Sequence, residues 1–419
     1  MKDKKIKVLT LSDHPIHALS GVGTQTRYII EALLNSEKFQ VVSLGGAVTH
    51  PDYNPQKTEE FGDDWVVYPV NGYGNHETIR SILRTEKPDI LWFMTDPRYF
   101  TWLWEIEDEI RSLVPMVYYH VWDNYPYPKY NKEYYESNDV IAAISKVTYD
   151  IVQTVAPSVD SHYVPHSVDP QIYKKLSLDE CSEFSKEHGY DDKFTFFWNN
   201  RNARRKQTGS LIWWFKEFLD DIGHDKARLI MHTDPHDVHG QNLKIILDHL
   251  GIISGEVLLS NQKIPPDILN LMYNSADCTI NISDAEGFGL ATLESLSAGT
   301  PIIVNMTGGL QEQVTDGENW FGIGIEPTSK ALIGSQDVPY IYEDRISKED
   351  FIAALHTMYN MPRDERKKMG DLGAKFVREN YGFENYQTEW VNILEAVHEK
   401  YGSWETRKGY KKWHIMEIK

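Results

Sequence analysis

The chain has 419 residues, 41% hydrophobic and 12% aromatic, long enough for two domains that each bury a core of their own. Its formal charge of -19 disfavours a protein that holds nucleic acid or anionic membrane by broad electrostatics, although a local basic groove remains compatible with it. Cys181 and Cys278 are the only cysteines, which excludes a disulfide framework and a cysteine-based zinc site and points to a reducing compartment.

The amino terminus, MKDKKIKVLTLSD, starts basic, but Ser12, Asp13 and His14 cut its apolar run too short for a signal peptide. No segment approaches the length of a membrane span, so a cytoplasmic protein without integral membrane association is expected. From Ile6 to about His166, apolar strands alternate with amphipathic helices: KVLTLS, the helix TQTRYIIEALL, then QVVSLGG, WVVYPV, DILWFMT, PMVYYHV and DVIAAIS. Such alternation predicts a parallel sheet covered on both faces. The loop SDHPIHALSGVGTQTRY carries Gly21 and Gly23, which permit close approach of a phosphate or sugar, or simply loosen a strand-to-helix connection. His120 ends the strand MVYYH among Tyr118, Tyr119, Trp122, Asp123, Asn124 and Tyr125, a polar aromatic lining that suits carbohydrate. A lone histidine at such a place is otherwise a structural one.

The alternation stops at PHSVDPQIYKKLSLDECSEFSKEHGYDDK, a polar segment with two prolines that reads as an interdomain linker, and resumes at FTFFW. The second series runs through the helix SLIWWFKEFLDDI, RLIMH, the helix KIILDHL, EVLLS, the helix ILNLMYNSA and DCTINIS, ending in PIIVNM. Two doubly wound α/β domains are therefore predicted, with a ligand cleft at the carboxyl ends of their strands. The loop WNNRNARRKQTGS sets Arg201, Arg204, Arg205 and Lys206 at one such end, within reach of a diphosphate or solvated as an ordinary basic loop. His232, Asp234, His236, Asp237 and His239 crowd MHTDPHDVHG, but their irregular spacing fixes no metal geometry and no metal site is assigned.

The stretch SDAEGFGLATLESLSAGTPIIV reads as strand, glycine-rich turn, short helix and strand, with Glu286 before the turn and Glu294 inside the helix. Free amides at the start of such a helix make an anion site. Two carboxylates beside that site are poor phosphate ligands but good acceptors for hydroxyls, a combination that fits a nucleotide sugar; the alternative is an ordinary βαβ unit with solvated glutamates. After it, TSKALIGSQDVPYIYEDRI reads as an ordered insertion or flap, helices follow from about Ser347 to Lys400, and the basic, aromatic tail SWETRKGYKKWHIMEIK is expected to dock on the surface.

On these residues the chain resembles a retaining GT-B glycosyltransferase of the family 4 kind, across nearly its whole length. The most specific match is EGFGLATLE, followed by SLSAGTPIIV and GGLQEQV. The resemblance implies that Glu286 contacts sugar hydroxyls, that Glu294 binds the ribose, and that amides of Phe288, Gly289 and Leu290 meet the diphosphate. It assigns Arg201 and Lys206 to the diphosphate, matches His120 to the family's active-site histidine and Ser145 to the end of a family segment, and places Gly21 and Gly23 beside the donor. It also implies an acceptor domain at residues 1–175, a donor domain at 176–382 and a helix from about 383 to 419 rejoining the first. Asn200 stands where the family has glycine, PHSVD replaces its usual linker, and the Asn-Asn-Arg loop resembles phage-borne members acting in a host cytoplasm.

The expected activity is transfer of a hexosyl or pentosyl group from a nucleotide sugar to a hydroxyl acceptor, with retention and without a cofactor or divalent metal. Saccharide and lipid-linked acceptors stand ahead of hydroxymethylated DNA bases, because the net charge opposes long-range attraction to DNA. The rival readings are a nucleotide-sugar epimerase or hydrolase and a non-catalytic sugar-nucleotide-binding protein. Arg204 and Arg205 either share the phosphate role or stand as solvated neighbours of the two assigned cations.

Overall fold

The apolar runs of the amino-terminal half pair into one sheet, buried on both faces in its central strands. The computed structural model describes residues 4–17, 20–188 and 192–411. Strands β1 (Ile6–Asp13), β2 (Phe39–Gly46), β3 (Gln56–Lys57), β4 (Trp65–Pro69), β5 (Ile90–Thr95), β6 (Met116–His120), β7 (Val140–Ala143) and β8 (Asp160–Tyr163) lie in the order β3-β4-β2-β1-β5-β6-β7-β8. All pair in parallel except β3, which runs antiparallel on β4 at the edge. The helix Gly21–Asn35 covers this sheet. Ser20 caps it, accepting from the Gly23 amide at 3.0 Å, and its buried face carries Ile29, Ile30 and Leu33. Gly21 and Gly23 therefore open a helix instead of lying in a free loop.

The second half repeats the design with β9 (Phe194–Asn199), β10 (Ala227–His232), β11 (Val257–Ser260), β12 (Cys278–Asn281), β13 (Ile302–Asn305) and β14 (Gly322–Ile325), ordered β11-β10-β9-β12-β13-β14 and parallel throughout. Strand order reverses between β1 and β5 in the first sheet and between β9 and β12 in the second. In open parallel sheets the crevice at such a reversal is where ligands bind.

Two segments differ from their sequence expectation, and a third takes a more definite form than expected. The segment read as a polar linker contains the helix Leu178–His188, capped at its start where Ser177 Oγ donates to Glu180. Strand β8, DSHY, carries too little apolar character to read as a strand, because it closes the sheet at a half-buried edge. The stretch expected to be an ordered insertion or flap is an antiparallel hairpin, β15 (Ser329–Ile333) with β16 (Ile341–Arg345). Val338 and Ile341 of this hairpin pack on the core of the first half, and Tyr340 meets the Tyr130 ring edge-on at 4.7 Å.

The helix Phe383–Tyr401 crosses back to the first sheet, where Trp390 is fully buried against Trp92 and Tyr119, with ring centroids at 5.8 Å and 4.8 Å. The tail beyond it docks on the same half. The Trp404 amide donates to Leu113 at 2.7 Å and Arg407 reaches Asp139 at 2.8 Å, while residues 412–419 lie outside the described residues. No helix among the described residues is long and apolar enough to cross a membrane.

Candidate active site

The two sheets face each other across a cleft of about 750 Å³. Its floor on the second half is the β9/β12 reversal, where the loops after Asn199 and after Asn281 leave the sheet side by side. Opposite them lie the start of the helix Gly21–Asn35 and the loop after β6.

Glu286 and Glu294 take up different surroundings. Glu286 accepts from Lys206 Nζ in a close ion pair and from Asn281 Nδ2 at 3.3 Å, with Arg205 Nη1 at 3.9 Å. Burial raises its pKa, but Lys206 and Arg205 together hold it below the ordinary glutamate value. Lys206 is buried as well; desolvation and the neighbouring Arg205 lower its pKa, and Glu286 opposes them. Glu294 sits four residues into the helix Leu290–Ser297 and accepts from Tyr273 Oη at 2.7 Å, the same hydroxyl that receives Asn199 Nδ2 at 2.8 Å.

The helix Leu290–Ser297 starts from Gly289, whose φ of +96° is left-handed. A Cβ there would stand 2.6 Å from Leu310 and 2.8 Å from Thr292 Oγ1, so only glycine turns the chain tightly enough to aim the first amides at the cleft. Phe288, Gly289 and Leu290 all line the cleft, and the Phe288 ring meets His166 at 5.0 Å. Gly21 faces this helix across the cleft, where a Cβ would fall 2.7 Å from Leu290 Cδ1. Gly23 is turned away, its amide committed to the Ser20 cap.

The cations divide differently from the expectation. Arg201 lines the cleft, but its guanidinium is largely exposed and is held by Asp237 Oδ2 at 2.6 Å and by His239 Nδ1 at 2.6 Å. Asp237 and His239 of the histidine-rich loop thus orient an arginine, and among the described residues no group of three or more His, Cys, Asp or Glu is placed to hold a metal ion. Arg205 is not a solvated neighbour. It lies inside the cleft, donating to Ala285 O at 2.8 Å and standing 3.3 Å from Asp123 Oδ2. Arg204 points the other way, to Glu343 of the hairpin.

His120 is not on the cleft wall. It is fully buried beneath it, with Nε2 on Tyr135 Oη at 2.6 Å and Nδ1 without a partner among the described residues, and burial lowers its pKa to about 3. The histidines that do line the cleft are His166 and His232; His166 Nδ1 meets Tyr119 Oη at 2.8 Å, and burial also keeps this ring neutral. Its place in PHSVD, at the return from the first sheet, was the signal for it in the sequence. Asp123 and Arg205 needed the fold, because nothing in their local spacing joins residues from two sheets.

Burial pushes the Glu294 carboxyl up to about 7, against the lowering influence of the Tyr273 and Tyr173 hydroxyls. The folded state then holds a proton that the unfolded chain, with its carboxyl at 4.5, gives up more readily. This group's contribution to stability therefore falls as pH rises from about 4.5 to about 7 and is constant beyond. Glu294→Gln is expected to be more stable than the parent near pH 8 and no different near pH 4, read from urea unfolding midpoints at the two pH values. A variant less stable at both would refute the burial account.

Residues 243–369 match the family described as Glycosyl transferases group 1. The chain carries a group 1 glycosyl transferase domain. That domain includes β11 to β14 and both glutamates of the cleft. Among curated proteins the chain is similar to N-acetyl-alpha-D-glucosaminyl L-malate synthase of Bacillus anthracis, 21% identical over 233 residues that cover 55% of this chain and 58% of that protein. The match thus spans little more than half of that relative. Among solved structures, sucrose-phosphate synthase from Thermosynechococcus elongatus superposes with a TM-score of 0.74 at 12% identity, covering 94% of this chain and all of that one (100%). Anabaena HepE in complex with UDP-glucose gives a TM-score of 0.67 at 14% identity over 93% of this chain and 100% of its own. The fold is GT-B.

Proposed function

We propose that the chain is a retaining glycosyltransferase that moves a sugar from a nucleotide-sugar donor to a hydroxyl acceptor. The observation that carries this reading is the setting of the β9/β12 reversal: a glycine-opened helix start flanked by Glu286 and Glu294, with Arg201 and Arg205 on the cleft wall and Lys206 buried behind them in its ion pair with Glu286. Glycosyl transfer needs a leaving diphosphate stabilised by positive charge and amide dipoles, a held sugar and a cleft that limits water. Here the amides from Phe288 to Leu290, with Lys206 and Arg201, take the diphosphate; Glu286 takes sugar hydroxyls and Glu294 the ribose.

The half built on the second sheet, about residues 176–382, holds the donor, and residues 1–175 with the returning helix present the acceptor. Group 1 similarity and the UDP-glucose bound by Anabaena HepE support a donor of the nucleoside diphosphate sugar class. In this reading the charge of Arg201 and Lys206 offsets the diphosphate and transfer proceeds without a divalent ion.

The test is a thermal-shift screen of UDP-, GDP- and ADP-sugars at fixed protein concentration, followed by turnover in saturating chelator. At least one donor is expected to raise the melting temperature. Glu286→Gln should then lower kcat, whereas Glu294→Gln should mainly raise the donor KM. A protein that no nucleotide sugar stabilises sinks the reading. Activity lost to chelator and restored by magnesium sinks its metal-free part alone.

A further inference from the structure

Glu294 is the end of a hydrogen-bonded relay that crosses three elements of the second half. The glutamate, on the helix Leu290–Ser297, lines the cleft and keeps part of its surface open to it. Behind it stands Tyr273, fully buried on the helix Pro266–Ser275, whose Oη donates to Glu294 Oε2 at 2.7 Å. That hydroxyl in turn accepts from Asn199 Nδ2, at the last residue of β9, at 2.8 Å. Phe197 and Tyr173 pack edge-on against the Tyr273 ring, with centroids at 5.1 Å and 6.3 Å, and hold it in place. Tyr173 is itself tied to the glutamate's helix, where Ser297 Oγ donates to its carbonyl at 2.6 Å.

The relay has a direction. The amide nitrogen of Asn199 can only donate, so the Tyr273 proton is left for Glu294, an arrangement that suits an acceptor carboxylate. No cation stands beside that carboxylate among the described residues. The influences on it are burial, which raises its pKa to about 7, and the Tyr273 and Tyr173 hydroxyls, which lower it. The other titratable group facing it is Tyr28 on the helix Gly21–Asn35, with Asp169 and Glu31 near that phenol. Glu286 differs, since Lys206 and Arg205 favour its ionised form.

We propose that Asn199 and Tyr273 are positioning residues that fix Glu294 as the acceptor for the donor's ribose hydroxyls, and that donor binding expels a proton from Glu294 to solvent. This rests on the transferase reading above. An ionised carboxylate accepts from both ribose hydroxyls, whereas a protonated one commits an oxygen to its own proton. Binding therefore favours the ionised form, so affinity is complete above a pH of about 7 and is lost as pH falls below it. Removing the Tyr273 hydroxyl takes away a contact that favours the ionised form, and it should move this dependence to higher pH.

The experiment uses the full chain with UDP-, GDP- and ADP-glucose, whose diphosphates are esterified at both ends and lack the ionisation at about pH 6 of a terminal phosphate. Calorimetric titration at about pH 6 and about pH 8.5, in buffers of different ionisation enthalpy, reads affinity and protons released together. The parent is expected to bind its donor about tenfold more tightly at the higher pH and to release about one proton per donor at the lower. Glu294→Gln should bind weakly at both, without the slope. Tyr273→Phe keeps the ring and its packing; it should bind within about threefold of the parent at the higher pH and about tenfold more weakly than the parent at the lower. Asn199→Ala, which leaves Tyr273 in place, should steepen the dependence in the same direction by less. A parent whose affinity ignores pH overturns the proposal, as does a Glu294→Gln variant that keeps the parent's slope. Equal losses at both pH values in Tyr273→Phe and Asn199→Ala also overturn it, because a merely structural defect weakens binding without moving its pH dependence. Failure of every nucleotide sugar to bind the parent strikes the transferase reading itself, a result separable from all of these.

Discussion

Lys206→Met is expected to lower kcat/KM by about ten- to a hundredfold, the consequence of losing one charge-assisted contact of about 1.5–3 kcal/mol in the transition state. The ammonium is buried beside Glu286, with Arg205 as the next cation, so no solvent ion replaces it when the methylene stem is kept and the charge removed. Lys206→Arg should not restore the rate, because a planar guanidinium does not enter a slot shaped for a compact ammonium. Arg204→Ala is the internal comparison. Its guanidinium serves Glu343, which retains Arg345 at 2.8 Å, and the change should cost no more than about threefold. Initial rates for the four proteins decide the matter: equal losses in the Lys206 and Arg204 variants would mean that the basic loop acts as a diffuse field and that Lys206 has no special place.

The largest effect on stability is expected at Trp390. Trp390→Ala should cost about 3–5 kcal/mol, a substantial part of the total for a protein of ordinary stability. The indole is fully buried between Trp92 and Tyr119, in the seam where the helix Phe383–Tyr401 meets the helix Gly21–Asn35 and β5. Among the described residues its Nε1 has no hydrogen-bond partner. Trp390→Phe should therefore lose only part of the packing and no hydrogen bond, about 1–2 kcal/mol. Urea unfolding of parent and both variants measures this directly. A loss under about 1 kcal/mol in Trp390→Ala would show that the returning helix is not anchored by this contact.

Much of the architecture was legible in the chain because each element carries its own signal. Strands such as ILWFMT and FTFFWN are continuous apolar runs, as strands buried on both faces must be, and their alternation with helices leaves a parallel sheet as the consistent arrangement. The turn at Glu286 was legible for a similar reason: a glycine in left-handed backbone between a strand and a helix is a local requirement, written locally. Strand β8 and the hairpin were not, since one closes a half-buried edge and the other is held by a surface that belongs to the other half of the chain.

The site divides along the same line. From the sequence by itself came two doubly wound halves, the pair Glu286 and Glu294 on one turn and helix, and the cations of the loop after β9, all determined within about twenty residues of one another in each case. Only the tertiary structure decided which cations enter the cleft, because Arg204 and Arg205 are adjacent in sequence yet point to Glu343 and to Asp123. It also sent His120 beneath the wall while bringing His166 to it. Side-chain direction at a strand end depends on the pleat and on what the facing sheet presents, and that contact forms between residues as far apart in sequence as Asp123 and Arg205. Spacing along one chain carries no record of it.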